Sequence, residues 1–140
     1  MSKRQVADRL AAVPLFAGLT KKELAHLANG AELVDVPADA TVVAQGDYGE
    51  GVFVLLDGAA KVVRNGRTVA RLEPGSHFGE LALLDPGPRT ASVVTTEASR
   101  LGILGAAAFR VSLRESPRMA ERLLASLARR ARDEGWREHA

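Results

Sequence analysis

Phe78-Gly79-Glu80-Leu81-Ala82-Leu83-Leu84 runs through Asp85-Pro86-Gly87-Pro88 into Arg89-Thr90-Ala91-Ser92-Val93. Leu81 to Leu84 lacks the alternation of a strand and is too short for a full helix, so a single helical turn after Gly79 is predicted. The first N–H groups of such a turn have no intrahelical partner, and with the helix dipole they favour an anion. Gly79 lets a ligand come close to the backbone. Arg89, expected to begin the next strand, offers a planar fork of donors that suits phosphate oxygens. Glu80 is the odd member, because a carboxylate repels a phosphate. It makes sense as the acceptor for a neighbouring hydroxyl, such as a ribose 2′-OH. A 3′,5′-cyclic phosphate leaves that hydroxyl free, so phosphate and ribose could be read side by side.

The elements that must position these residues fall into three zones. The first is helical. A helix is expected from Ser2 to about Ala12, with Val6 and Leu10 on one face. Pro14 and Gly18 punctuate the gap before a second helix. That helix is announced by Thr20 and Glu23 as a capping box, with Leu19 and Leu24 as the hydrophobic staple. The second zone reads as short strands: Glu32–Val36, Thr41–Ala44, Val52–Leu56, Ala60–Arg64, Thr68–Leu72, Thr90–Thr95 and Arg100–Leu104. Asp57-Gly58 and Asn65-Gly66 both read as tight hairpins. This close, even spacing argues a sandwich or barrel of the jelly-roll type. The third zone holds a helix over Ala106–Arg114, then Ser116-Pro117 as N-cap and first-turn proline of another. Met119, Ala120, Leu123, Leu124, Leu127 and Ala131 are expected along one face of it.

With 140 residues, 46% hydrophobic and 26% charged, the chain fits one soluble domain. No apolar run approaches the ~20 residues of a membrane helix, and the N-terminus lacks a signal-peptide core. There are no cysteines, hence no disulfide framework and no thiolate metal site. A cytoplasmic location is the natural expectation. The net charge of +2 is uneven: residues 1–30 balance to +3, residues 31–104 to −4 and residues 105–140 to +3. Arg89 therefore lies in an acidic zone, and an anion there would be held locally. The basic excess of the flanks is best read as solvated helix faces, not as a nucleic-acid stripe.

The segments Phe78 to Leu84 and Arg89 to Val93, with the Pro-Gly-Pro link, resemble the phosphate-binding cassette of cyclic nucleotide-binding domains. That family includes protein kinase A regulatory subunits, cyclic nucleotide-gated channels and the bacterial catabolite-activator group. Pro14 to Leu19 with Glu23-Leu24, and the Gly-rich stretch Gln45 to Gly58, resemble other parts of the same domain. The resemblance spans residues 5–135, and Glu followed nine residues later by Arg-Thr-Ala is its specific mark. The Glu80-to-Arg89 spacing is similar to that of the kinase and channel members. The catabolite activator's link is one residue longer.

The resemblance implies an α+β fold: an eight-stranded β jelly-roll with an N-terminal helical bundle and two C-terminal helices. It implies a single domain over residues 1–140. Within it, 1–30 form the N-terminal helices, 31–104 the β-roll with the cassette at 78–93, and 105–136 the C-terminal hinge and lid helices. The ligand would be cAMP or cGMP. Arg89 would bind the exocyclic phosphate oxygens, with Gly79, Glu80, Leu81 and Ala82 near phosphate and ribose. Glu80 would take the 2′-OH, and Thr90 and Ala91 would add phosphate contacts. Thr90 could also touch a guanine amino group, which leaves the purine preference open.

The base cap is open too, between Trp136 and the Leu123, Leu124 and Leu127 stripe. The segment beyond Arg129 is highly charged and is expected to be loosely held without ligand. His26, His77 and His139 share no ligand spacing, so no metal site is expected, and His77 reads as a loop residue. The expected function is a non-enzymatic sensor with no cofactor. Its ligand would move the C-terminal helices, and its output would lie in a protein effector or a fused effector domain. No direct nucleic-acid binding and no membrane contact are expected. A cupin-like jelly-roll enzyme, or a degenerate fold used only for docking, are the alternatives.

Overall fold

A computed structural model describes residues 1–133. The chain begins with α1 (Lys3–Ala11), a 3-10 turn (Pro14–Phe16) and α2 (Lys21–Asn29). Both helices carry capping boxes: Ser2 with Gln5, and Thr20 with Glu23. Val6 and Leu10 of α1, and Leu24 and Leu27 of α2, are buried, while Leu19 packs partly buried against them. The periodicity expected from the sequence is thus the one that forms the helical core.

Eight strands follow, with one short helix among them: β1 (Ala31–Val36), β2 (Thr41–Val43), β3 (Val52–Asp57), β4 (Ala60–Arg64), β5 (Arg67–Leu72), β6 (His77–Phe78), α3 (Glu80–Leu84), β7 (Ser92–Thr95) and β8 (Ser99–Leu104). They make two four-stranded antiparallel sheets, ordered β1-β8-β3-β6 and β2-β7-β4-β5, which together form a jelly-roll. The helices α4 (Ala106–Glu115) and α5 (Pro117–Asp133) close the described chain.

Strand β3 shows how the layers are held. Val52, Val54 and Leu56 face the helices and join Phe16, Leu27, Phe109, Met119 and Leu123 in one core. Leu55, on the opposite face, joins Ala60, Phe78, Val93 and Leu101 inside the roll. Burial on both faces explains the unbroken apolar run Val52 to Leu56, which carries no alternation to read.

Three local expectations are corrected and one strand is added. Asn65-Gly66 does close a hairpin, with Arg64 opposite Arg67. Asp57-Gly58 does not: β3 belongs to one sheet and β4 to the other, so this turn is the corner where the chain changes sheets. Gly58 has φ 99°, and a Cβ there would sit 2.7 Å from the Ala98 carbonyl oxygen. The strand expected from Thr90 starts at Ser92, so Arg89 lies in the loop before it. Strand β6, only two residues long, went unread as a separate element because it is too short to show a period. On α5, Met119 and Leu123 are buried, but Leu124 is 65% exposed, a full side chain turned away from the stripe it was expected to share. Among the described residues no helix is long and apolar enough to cross a membrane.

Candidate functional site

The predicted helical turn exists. Gly79 caps α3 in the left-handed region at φ 94°. A Cβ at Gly79 would lie 2.6 Å from the Gly51 carbonyl oxygen and 2.7 Å from Arg89 Nη1. Glycine is therefore required twice here, by backbone conformation and by the closeness of the arginine.

Arg89 is 9% exposed and is held on several sides. Its backbone N–H donates to Asp47 O at 2.7 Å, and its carbonyl accepts from Gly46 N–H at 2.8 Å. Nη1 donates to Gly79 O at 3.3 Å, and the guanidinium lies 5.6 Å from the Phe53 ring centre. Phe53 in turn stacks on Phe78 with ring centres 5.0 Å apart. A Cβ at Gly49 would fall 2.9 Å from Nη2, so the Gly-rich loop is cut to fit the guanidinium. Burial pulls the Arg89 pKa below its usual value, and the Glu80 carboxylate pulls it partly back.

These groups border a cavity of about 550 Å³, within the range of small-molecule sites. Gly79, Leu81, Ala82, Arg89, Thr90 and Ala91 all line it, as does the link Asp85-Pro86-Gly87-Pro88. Its apolar side comes from the second sheet, through Val43, Val62, Ala70, Leu72 and Val93. The arrangement offers a charged end for an anion and a greasy wall for a flat ring.

Glu80, the seventh expected site residue, is brought to the same place but lies deeper. It is fully buried and is not among the cavity-lining residues. The groups nearest its oxygens do line the cavity: Arg130 Nη2 is 3.0 Å from Oε1, and His77 Nδ1 is 3.4 Å from Oε2. Among the described residues neither oxygen has a partner in strict hydrogen-bond geometry, so these contacts act mainly through charge. Burial opposes ionisation of Glu80, but His77, Arg130 and the residue's own backbone N–H outweigh it, holding the carboxyl below its ordinary range.

His77 and Arg130 were not singled out as site residues by the sequence. His77 belongs to β6 and not to a loop, and it meets Glu80 because the two are three residues apart around Gly79. Nothing local marks Arg130, which reaches the site from the far part of α5. Leu123 and Leu127 pack on the helical core and Leu124 faces solvent; none of the three lines the cavity. Leu123 and Leu127 thus serve helix packing, and Leu124 does not. Trp136 and His139 lie outside the described residues. Among the described residues no three His, Asp or Glu side chains group closely enough for a metal ion.

A jelly-roll whose cassette pairs a buried arginine with a glycine-capped helical turn, beside an apolar cavity, defines a class of small-anion receptors. Comparison with known proteins gives the family. A family model described as the cyclic nucleotide-binding domain matches residues 33–116, and the chain belongs to that family. It is similar to a CRP-like cAMP-activated global transcriptional regulator of Mycobacterium tuberculosis, 34% identical over 128 residues, covering 88% of this chain and 57% of that protein. It is similar to a cAMP-dependent protein kinase regulatory subunit of Aspergillus niger, 37% identical over 110 residues, covering 77% of this chain and 27% of that one. Among solved structures, the Thermus thermophilus catabolite activator protein superposes with a TM-score of 0.78 at 34% identity, over 90% of this chain and 62% of that chain. The chain thus spans a little over half of the first of these relatives and about a quarter of the second.

Proposed function

We propose that the chain is a non-enzymatic sensor module that binds cAMP or cGMP in this cavity and passes occupancy to its C-terminal helices. The observation that carries the reading is Arg89, a desolvated guanidinium set in the wall between Gly79 and Gly49, with an apolar surface across the cavity. That is a fit for a singly charged cyclic phosphate joined to a purine. Arg89 pairs with the exocyclic oxygens, and backbone N–H groups at the start of α3 add to the grip. Thr90 and Ala91 flank the phosphate, and Leu81 and Ala82 pack against the sugar. Glu80 accepts from the 2′-OH.

The residues fall into one domain whose helices α4 and α5 act as hinge and lid. Arg110 of α4 donates to the Leu83 carbonyl at 3.2 Å, which gives the cassette a direct line to the hinge. The output lies in a protein effector or a fused effector domain, and the module itself acts without membrane or nucleic-acid contact.

Calorimetric titration with cAMP, cGMP and linear AMP tests the reading. At least one cyclic nucleotide is expected to bind, and AMP, with its doubly charged open phosphate, far more weakly. Equal binding of AMP, or no binding of either cyclic nucleotide, overturns it.

A further inference from the structure

Of the two described histidines, only His77 lines the cavity. Strand β6 fixes its position: Val54 of β3 lies opposite it, and the next residue, Phe78, stacks on Phe53. The side chain is 12% exposed, and its two edges meet different surroundings. Nδ1 is buried 3.4 Å from Glu80 Oε2, with no partner in strict hydrogen-bond geometry among the described residues. An ionised carboxylate only accepts, so the nitrogen that faces it carries a proton. The neutral ring then keeps its lone pair on Nε2. Since Nδ1 is turned to Glu80, the part of the ring that lines the cavity is the opposite edge, which holds Nε2. The ionisable groups on the surrounding elements are Glu80 and Asp85 at the two ends of α3, Arg89 before β7, Arg130 of α5 and Arg64 of β4; all but Glu80 line the same cavity. Of these side-chain types and His77, only a histidine ordinarily changes charge between pH 5 and 8.

We propose that His77 is a positioning residue for Glu80 whose second proton sets the affinity of the site: Nδ1–H steadies the carboxylate for the 2′-OH, and protonation of Nε2 adds a positive charge at the cavity wall that tightens binding of the cyclic phosphate as the pH falls. The proposal rests on the cyclic-nucleotide reading above.

The sign follows from the charges around the ring. Glu80 is held ionised and repels a phosphate bound beside it. A cation against that carboxylate offsets the repulsion and attracts the phosphate directly, so both effects favour the ligand at lower pH. The ribose contact survives the change, because a carboxylate has about four acceptor sites and a hydroxyl takes only one. By reciprocity, a ligand that prefers the protonated ring must also draw a proton onto it. Binding within the histidine range is therefore accompanied by proton uptake.

The experiment titrates cAMP, cGMP and their 2′-deoxy counterparts by calorimetry between about pH 5.5 and about pH 8, on the wild type, His77→Gln and His77→Phe. The cyclic phosphate keeps one negative charge throughout, and His26 and His139 are present in every variant. The wild type is expected to bind roughly three- to tenfold more tightly at the acid end, the effect of one added charge in a partly wet cavity. Near the middle of the range its binding heat should depend on the buffer's ionisation enthalpy in the sense of proton uptake. His77→Gln keeps a donor for Glu80 but gains no proton, so it should flatten the profile and retain the ribo preference. His77→Phe removes both, so it should flatten the profile and cut the ribo preference roughly threefold or more. A merely structural role would lower thermal stability without moving either readout, and if the phenylalanine variant does not fold, the profile of His77→Gln still decides. If the wild type binds no cyclic nucleotide at any pH, the functional reading fails and this proposal with it. If the wild type binds equally well across the range, binds more weakly at the acid end, or shares its profile with His77→Gln, the functional reading stands and the proposal falls. A ribo preference that His77→Phe keeps in full overturns the positioning role in the same way.

Discussion

Arg89 and Glu80 carry opposite charges into one buried corner, and each depends on different neighbours. Arg89 keeps its place because Gly79 and Gly49 leave its planar fork room and Phe53 lies against it. Arg89→Ala should weaken cyclic-nucleotide binding by about 2–4 kcal/mol, the usual loss when a desolvated charged pair is broken. Calorimetry on a variant with an unchanged circular dichroism spectrum checks it, and unchanged affinity would remove Arg89 from the site. Glu80 gives a pH prediction. Its folded pKa is lowered from an ordinary value of 4.5, so the folded state binds this proton less readily than the unfolded chain. Its ionisation therefore stabilises the fold above pH 4.5, and that contribution fades as pH falls through the lower folded value. Urea unfolding at pH 7 and at about pH 3 should show the wild type losing more stability on acidification than Glu80→Gln. Equal losses would mean that His77 and Arg130 do not hold the carboxyl down.

At the scale of elements, α3 matters for where it starts. Its five residues cannot sustain a helix alone, and what sets it is the left-handed Gly79 on one side and two contacts on the other. Asp85 N–H donates to Leu81 O at 2.8 Å, and Arg110 caps the Leu83 carbonyl. Gly79→Ala should cost about 1–3 kcal/mol of stability, from the strained φ and the contact with Gly51. It should also abolish most binding, since Arg89 Nη1 must move from its place. A variant that binds normally would show that the tight approach of Gly79 to Arg89 is dispensable.

For the whole molecule, the helices at the two ends of the described chain form a single layer. Helices α1 and α2 share a core with α4, α5 and the outer face of β3, while the cavity opens within the strand layer. Arg110 ties α4 to the Leu83 carbonyl of α3, and Arg130 ties α5 to Glu80 at its start. Ligand should therefore slow amide exchange in two separated regions, the cassette from Gly79 to Arg89 and the far part of α5 from Leu123 onward. Protection confined to the cassette would describe a passive pocket. Deleting residues from Arg122 onward would remove Leu123 and Leu127 from the core, costing about 2–5 kcal/mol for the buried Leu123 alone, as well as any lid.

The sequence alone determined the features that rest on local chemistry. Capping boxes at Ser2 and Thr20, the Asn65-Gly66 turn, the helical turn after Gly79 and the apolar face of Met119 and Leu123 are each set by residues within a few positions of one another. The Gly79-Glu80 and Arg89 frame was legible for the same reason, since nine residues and a proline link hold both ends of the cassette. Tertiary structure decided what those features meet. Asp57-Gly58 has the composition of a hairpin turn, and only the assignment of β3 and β4 to different sheets makes it a corner. Leu124 has the same side chain as Leu123, and only the packing of α5 on the core sends one inward and the other to solvent. Glu80 looked like a ligand-facing carboxylate on the cavity surface. It is instead fully buried, and its link to α5 comes from Arg130, fifty residues away; no local pattern encodes a pairing that exists only once α5 has folded back to the cassette.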